Sequence, residues 1–189
     1  VLTGPGSANS IGGQWAAIKT WGRRIDDMIL KEPIGMKFAL GENPKSVYNE
    51  KNQAPNTRMA TAALIREQLK KAQRYLEDLE RMEEDEDCDE PEYDIKCEAL
   101  LPVLRREQKA FFHAHRADDI FTAIRIAKEF DLDLVLCHCT EGHLIADLLK
   151  EEGCGIIAGP ILGDRSKPEL RNLERSGLAK LFEEGIHAG

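Results

Sequence analysis

From Lys109 to Glu184, short apolar runs alternate with amphipathic stretches, and this rhythm restricts the fold more than any other feature of the 189-residue chain. Lys109-Ala110-Phe111-Phe112-His113-Ala114 reads as a strand, Ala117 to Phe130 as a helix, Leu132 to His138 as a strand, Gly142 to Glu151 as a helix and Gly155 to Ala158 as a strand. After a loop around Gly163-Asp164-Arg165, Leu173 to Glu184 supplies one more helix. Buried strands separated by single helices pair in parallel through right-handed crossovers, so the class is α/β. No GxGxxG or GxxxxGK[ST] follows the first strand, because Gly4-Pro5-Gly6-Ser7-Ala8-Asn9 has the wrong spacing. An open nucleotide-binding sheet loses its main support, and a barrel gains.

The N-terminal half is less regular. Val1-Leu2-Thr3 reads as the remnant of a strand, followed by a Gly-rich loop and a short helix within Trp15 to Ile29. Ile34 to Leu40 is a buried strand ending at the Gly41-Glu42-Asn43-Pro44 turn, and a polar loop continues to about Asn56. Thr57 is placed to cap a long helix from Arg58 to about Met82, on which Ala62, Ile65, Leu69, Ala72 and Leu76 recur at three- and four-residue spacing. The run from Glu83 to Pro91 is acidic and would repel itself in a helix, so an exposed, mobile excursion from a single domain is expected there. A helix over about Asp94 to Arg105 then leads into the regular half.

Composition excludes several classes. The net charge of −8 offers little to a phosphate backbone, so nucleic acid is not an expected partner. No apolar run is long enough to span a bilayer and no basic region precedes an apolar stretch at the N-terminus, so no membrane association and a cytoplasmic location are expected. Cys88, Cys97, Cys137, Cys139 and Cys154 include no CxxC pair, which fits reduced thiols better than a disulfide framework. In a regular strand, Cys137 and Cys139 face away from His138, so these three do not form one metal site.

The polar residues fall where barrels place chemistry, at strand C-terminal ends. Lys37 lies within an apolar strand, His113 and His115 close the next, His138 closes the one after, and Asp164-Arg165 follow the last. Neutral imidazoles from adjacent strands can share a zinc-like ion, and a bound metal lowers the pKa of water to roughly 7. A buried lysine is tolerated if its charge is paired or removed, for example by carboxylation to a bridging carbamate. Each residue alone also has a bland reading: Lys37 as a snorkelling or edge residue, His113 and His138 as hydrogen-bonded core histidines.

Three segments resemble the amidohydrolase superfamily, in particular its imidazolonepropionase-like and prolidase-like branches: Gly35-Met36-Lys37-Phe38-Ala39-Leu40-Gly41-Glu42-Asn43-Pro44-Lys45, His113-Ala114-His115-Arg116-Ala117-Asp118-Asp119-Ile120 and His138-Cys139-Thr140-Glu141-Gly142-His143. The resemblance implies a (β/α)8 barrel with one or two divalent ions, zinc in the first place. Lys37 is similar to the fourth-strand lysine that is carboxylated in binuclear members, His113 to the fifth-strand ligand and His138 to the sixth-strand ligand. His115 is implied to face the substrate, and Glu42, Asn43, His143, Asp164 and Arg165 are taken as further candidate substrate-binding residues.

The family's first-strand His-x-His pair and eighth-strand Asp have no match, and both chain ends read as cut. The expectation is a central portion of the barrel, roughly strands three to seven, with no general acid or base assigned within it. Such a portion is expected to be inactive alone, to bind metal weakly and to associate through its open edges as a homo-oligomer. The implied activity is hydrolysis of a C–N bond in a small cyclic amide, amidine or peptide-like substrate through metal-activated water. Two rivals stand beside it: a non-catalytic α/β binding or scaffold domain, and an aldolase-like barrel using Lys37 as a Schiff-base amine.

Overall fold

The structure, a computed structural model, describes residues 1–85, 89–163 and 165–188. One six-stranded sheet runs in sequence order through β1 (Leu2–Thr3), β2 (Ile11–Ile18), β3 (Ile29–Ala39), β4 (Lys109–Ala114), β5 (Leu134–His138) and β6 (Gly155–Ala158). From β3 to β6 every pairing is parallel. β1, β2 and β3 pair antiparallel, which corrects the expectation of parallel strands throughout. The helices are α1 (Ile25–Met28), α2 (Glu42–Glu50), α3 (Arg58–Glu84), α4 (Ile95–Glu98), α5 (Leu101–Leu104), α6 (Ala117–Glu129), α7 (Ala146–Glu152) and α8 (Gly177–Glu183). The result is an α/β sheet consistent with part of a barrel.

The short helix expected over Trp15 to Ile29 appears only near its end, as α1, and Trp15 to Ile18 belong instead to β2. Gly12 and Gly13 disfavour a helix, the 11-residue β3 offers a long edge to pair with, and Trp15 stacks on Phe111 at 4.4 Å. α2 replaces the expected polar loop. Its Pro44 sits in the first turn, where the missing N–H has no intrahelical partner to lose. The expected Asp94–Arg105 helix is divided into α4 and α5, because Pro102 cannot donate to the carbonyl one turn back. The last two expected helices each begin as a 3-10 turn or loop and become helical later, in α7 and α8.

α3 matches its sequence pattern closely. Thr57 accepts a hydrogen bond from the Ala60 N–H at 3.1 Å, and Ala62, Ile65, Leu69 and Ala72 are buried. Glu83, Glu84, Asp85, Asp89 and Glu90 are exposed, and Glu86, Asp87 and Cys88 lie outside the described residues. Among the described residues, no helix is long and apolar enough to cross a membrane.

Strand alternation gives the sheet two chemically different faces. Met36, Phe38, Leu40, Ala110, Phe112, Ala114, Leu134, Leu136 and Ile156 join the helices in the apolar core. Lys37, Phe111, His113 and Cys137 occupy the opposite face, aligned by the registers Lys37↔Phe111 and His113↔Cys137. Near the C-terminus, Ala188 makes a single parallel bridge with Ile156, beside β6 on the sheet's far edge.

Candidate metal centre

β4 carries His113 onto the face opposite the helices, and the chain's next step beyond the strand brings His115 to the same side. His138 ends β5, and regular alternation would turn it with Leu136 toward the helices. It does not: His138 has φ +74 and Cys139 φ +48, and this left-handed turn swings the imidazole to the opposite face. The ring centroids then lie 4.5 Å apart for His113 and His138, 4.7 Å for His113 and His115, and 4.7 Å for His115 and His138. One ligand atom from each lies within 4.8 Å of the others.

The same turn separates the neighbouring thiols. Cys139 enters the apolar core and Cys137 stays beside Lys37. The Cys-His-Cys run therefore still forms no common site, but through a backbone turn rather than the regular alternation expected from sequence.

Each imidazole has defined surroundings. His138 Nδ1 lies 2.6 Å from the Gly159 carbonyl, which fixes Nδ1 as the donor and leaves Nε2 with its lone pair. His115 Nδ1 lies 2.7 Å from Thr140 Oγ1. His113 Nε2 is 3.3 Å from the Asn43 amide nitrogen, and its Nδ1 is buried without a hydrogen-bond partner. Burial holds all three below the ordinary histidine range, His115 at about 3, and the positive charges of Lys37 and Lys167 push the same way. Neutral imidazoles, the form that ligates metals, are thus favoured.

Lys37 is only 5% exposed, with Nζ 5.2 Å from the centre of the Trp15 ring. Among the described residues no carboxylate pairs with it, and burial lowers its pKa against the opposing influence of Cys137.

No protein-family model and no curated protein matches the chain. Among solved structures, an amidohydrolase from Thermotoga maritima MSB8 matches with a TM-score of 0.96 and 42% sequence identity, over 100% of this chain and 49% of that one. The chain is similar along its whole length to an amidohydrolase. It spans about half of that protein. An amidohydrolase-like barrel implies a divalent metal, and the donor set fits one: neutral buried imidazoles converge, one with an orphaned ring nitrogen and one with its second nitrogen held by a backbone carbonyl.

The other residues singled out in the sequence divide. Asn43 stands at the cluster, between His113, Ser7 and Lys167 Nζ. The Glu42 carboxylate instead pairs with Lys45 at 2.6 Å, while its N–H donates to Glu169. His143 contacts the Thr140 carbonyl through Nδ1 and Glu174 through Nε2 at 3.3 Å, packed against Gly177 at the start of α8. Arg165 donates to the Leu173 carbonyl at 2.7 Å, and Asp164 lies outside the described residues. Thr140, Lys167 and Glu169 were missed by sequence reasoning. A Lys-Pro-Glu run after a strand looks like any surface loop, and nothing in it signals a buried carboxylate.

Proposed function

We propose that the protein carrying this chain hydrolyses a C–N bond of a small molecule, a cyclic amide, amidine or peptide-like compound, at a zinc-like centre held by His113 and His138, with Lys37 as a further ligand. The convergence of buried neutral imidazoles at the C-terminal ends of β4 and β5 is the observation that carries this reading. A bound divalent ion supplies Lewis acidity, polarising the scissile carbonyl and making hydroxide available near neutral pH.

The chain's own groups supply the rest. Gly159 orients His138 through its carbonyl, and Thr140 does the same for His115. Asn43 and Lys167 border the cluster as polar contacts for substrate, the lysine suited to an anionic or carbonyl oxygen. The uncharged Lys37 amine favoured by burial is also the form that can take up CO2 as a carbamate.

The experiment is metal analysis and a C–N hydrolysis screen on the full-length protein. His113→Ala and His138→Ala should each lose the bound metal and all turnover, and Lys37→Ala should lose most of both. A protein that binds no zinc-like ion and hydrolyses nothing would instead support a scaffold domain, to which the orphaned His113 nitrogen is poorly suited.

A further inference from the structure

Glu169 is the most deeply buried acidic side chain of the described residues, at 1% exposure, and it comes from the loop after β6. Its Oε2 accepts the Glu42 N–H at 2.9 Å. Its Oε1 is buried and has no hydrogen-bond partner. The groups facing Oε1 are His115 Nε2 at 3.6 Å and Lys167 Nζ at 3.7 Å.

The Thr140 hydroxyl beside His115 Nδ1 can donate or accept. If the ring nitrogen donates to the hydroxyl, Nε2 is bare, and two buried acceptors face each other beside Lys167. If the hydroxyl donates, the neutral ring carries its proton on Nε2, directed at Oε1, and the orphaned carboxylate oxygen gains a donor. Only the second arrangement turns a proton rather than a lone pair toward the buried Oε1, across a separation of 3.6 Å and with the Lys167 ammonium beside it.

We propose that Glu169 is a positioning residue that fixes His115 as its Nε2–H tautomer, so that His115 borders the metal centre without ligating it. Glu169 thereby joins three loops at the sheet's C-terminal end: the turn into α2 through Glu42, the end of β4 through His115, and its own loop after β6. The inference rests on the metal reading above only for the identity of the centre that His115 borders. It divides the histidine cluster into two ligands, His113 and His138, and one imidazole whose nitrogens face Thr140 and Glu169.

The test uses the full-length protein with zinc alone as the probe. Nitrogen-15 NMR of the imidazoles should show His115 protonated at Nε2 in the metal-free protein and still protonated there after zinc is added. His138 should be protonated at Nδ1, with its Nε2 resonance moving on loading. His115→Gln should bind zinc at unchanged stoichiometry with Kd within about threefold, whereas His113→Ala and His138→Ala weaken binding at least a hundredfold. Glu169→Gln keeps the shape and an acceptor for the Glu42 N–H but replaces a charged acceptor with a weaker neutral one. It should therefore move the His115 Nε2 proton upfield, which a merely structural Glu169 would not do. Loss of the Nε2 proton on zinc loading, or zinc loss in His115→Gln equal to that in His138→Ala, would overturn the assignment. Absence of zinc binding in the unaltered protein would defeat the metal reading instead, while the metal-free spectrum would still decide the tautomer.

Discussion

Gly41 joins β3 to α2 with φ +79 and ψ −145, a region that is open almost only to glycine. A Cβ there would stand 2.6 Å from Glu169 Oε2 and 3.4 Å from Asp119 Oδ2. Gly41→Ala should therefore cost roughly 1–3 kcal/mol, visible as an earlier denaturant midpoint with an unchanged slope. A midpoint equal to that of the unaltered protein would mean that the turn adapts and the close approach does not constrain it. The same residue scale shows why parts of the site were legible and others were not. Lys37 and His113 could be placed because their strands keep strict alternation, and the register puts them on one face. His138 reached that face through a positive φ, which its local sequence does not announce. Glu169 was invisible because its burial depends on the Glu42 N–H, 127 residues away in sequence.

Among the elements, α3 was legible because its apolar spacing and its cap are local features, whereas β2 was not, because its strand form rests on pairing with β1 and β3 rather than on a pattern within its own residues. α2 was read as a loop since its composition is polar and its stability comes from the first turn, where Glu169 takes the Glu42 N–H. Leu69 on α3 is completely buried in the apolar core, so Leu69→Ala should cost about 2–5 kcal/mol by chemical denaturation. Loss below about 1 kcal/mol would show that α3 is not a main support of the core. α4 depends on Asp94, which accepts from the Lys96 and Cys97 N–H groups and from Lys71 on α3. The Lys71 hydrogen bond and those backbone donors hold its carboxyl down, at about 2 against an ordinary 3.8. Because the folded form binds its proton less readily than the unfolded form, this contribution is complete above about pH 4 and disappears as pH falls toward 2. The Tm difference between the unaltered protein and Asp94→Ala should accordingly be largest near neutral pH and shrink through that window. A difference independent of pH would assign the effect of the substitution to something other than the ionised cap.

On the scale of the whole molecule, the histidine cluster links segments that only the folded sheet brings together: His113 and His115 at the end of β4, His138 at the end of β5, and Gly159 after β6 behind His138. The unfolded chain holds His113 and His138 more than twenty residues apart in sequence, so it offers no comparable donor set, and an ion bound to the cluster stabilises the native state by mass action. At a free zinc concentration about a hundredfold above Kd the gain is about 2.7 kcal/mol, which for a chain of this size corresponds to a rise in Tm of roughly 5–10 °C. Chelation should reverse the rise. His138→Ala should abolish it, because that variant removes the imidazole whose Nδ1 is already fixed by Gly159. His187 is exposed, stands outside the cluster and serves as the control, so His187→Ala should retain the full shift. If His187→Ala lost the shift while His138→Ala kept it, the stabilising ion would be bound near the C-terminus and the cluster would be only a group of packed histidines.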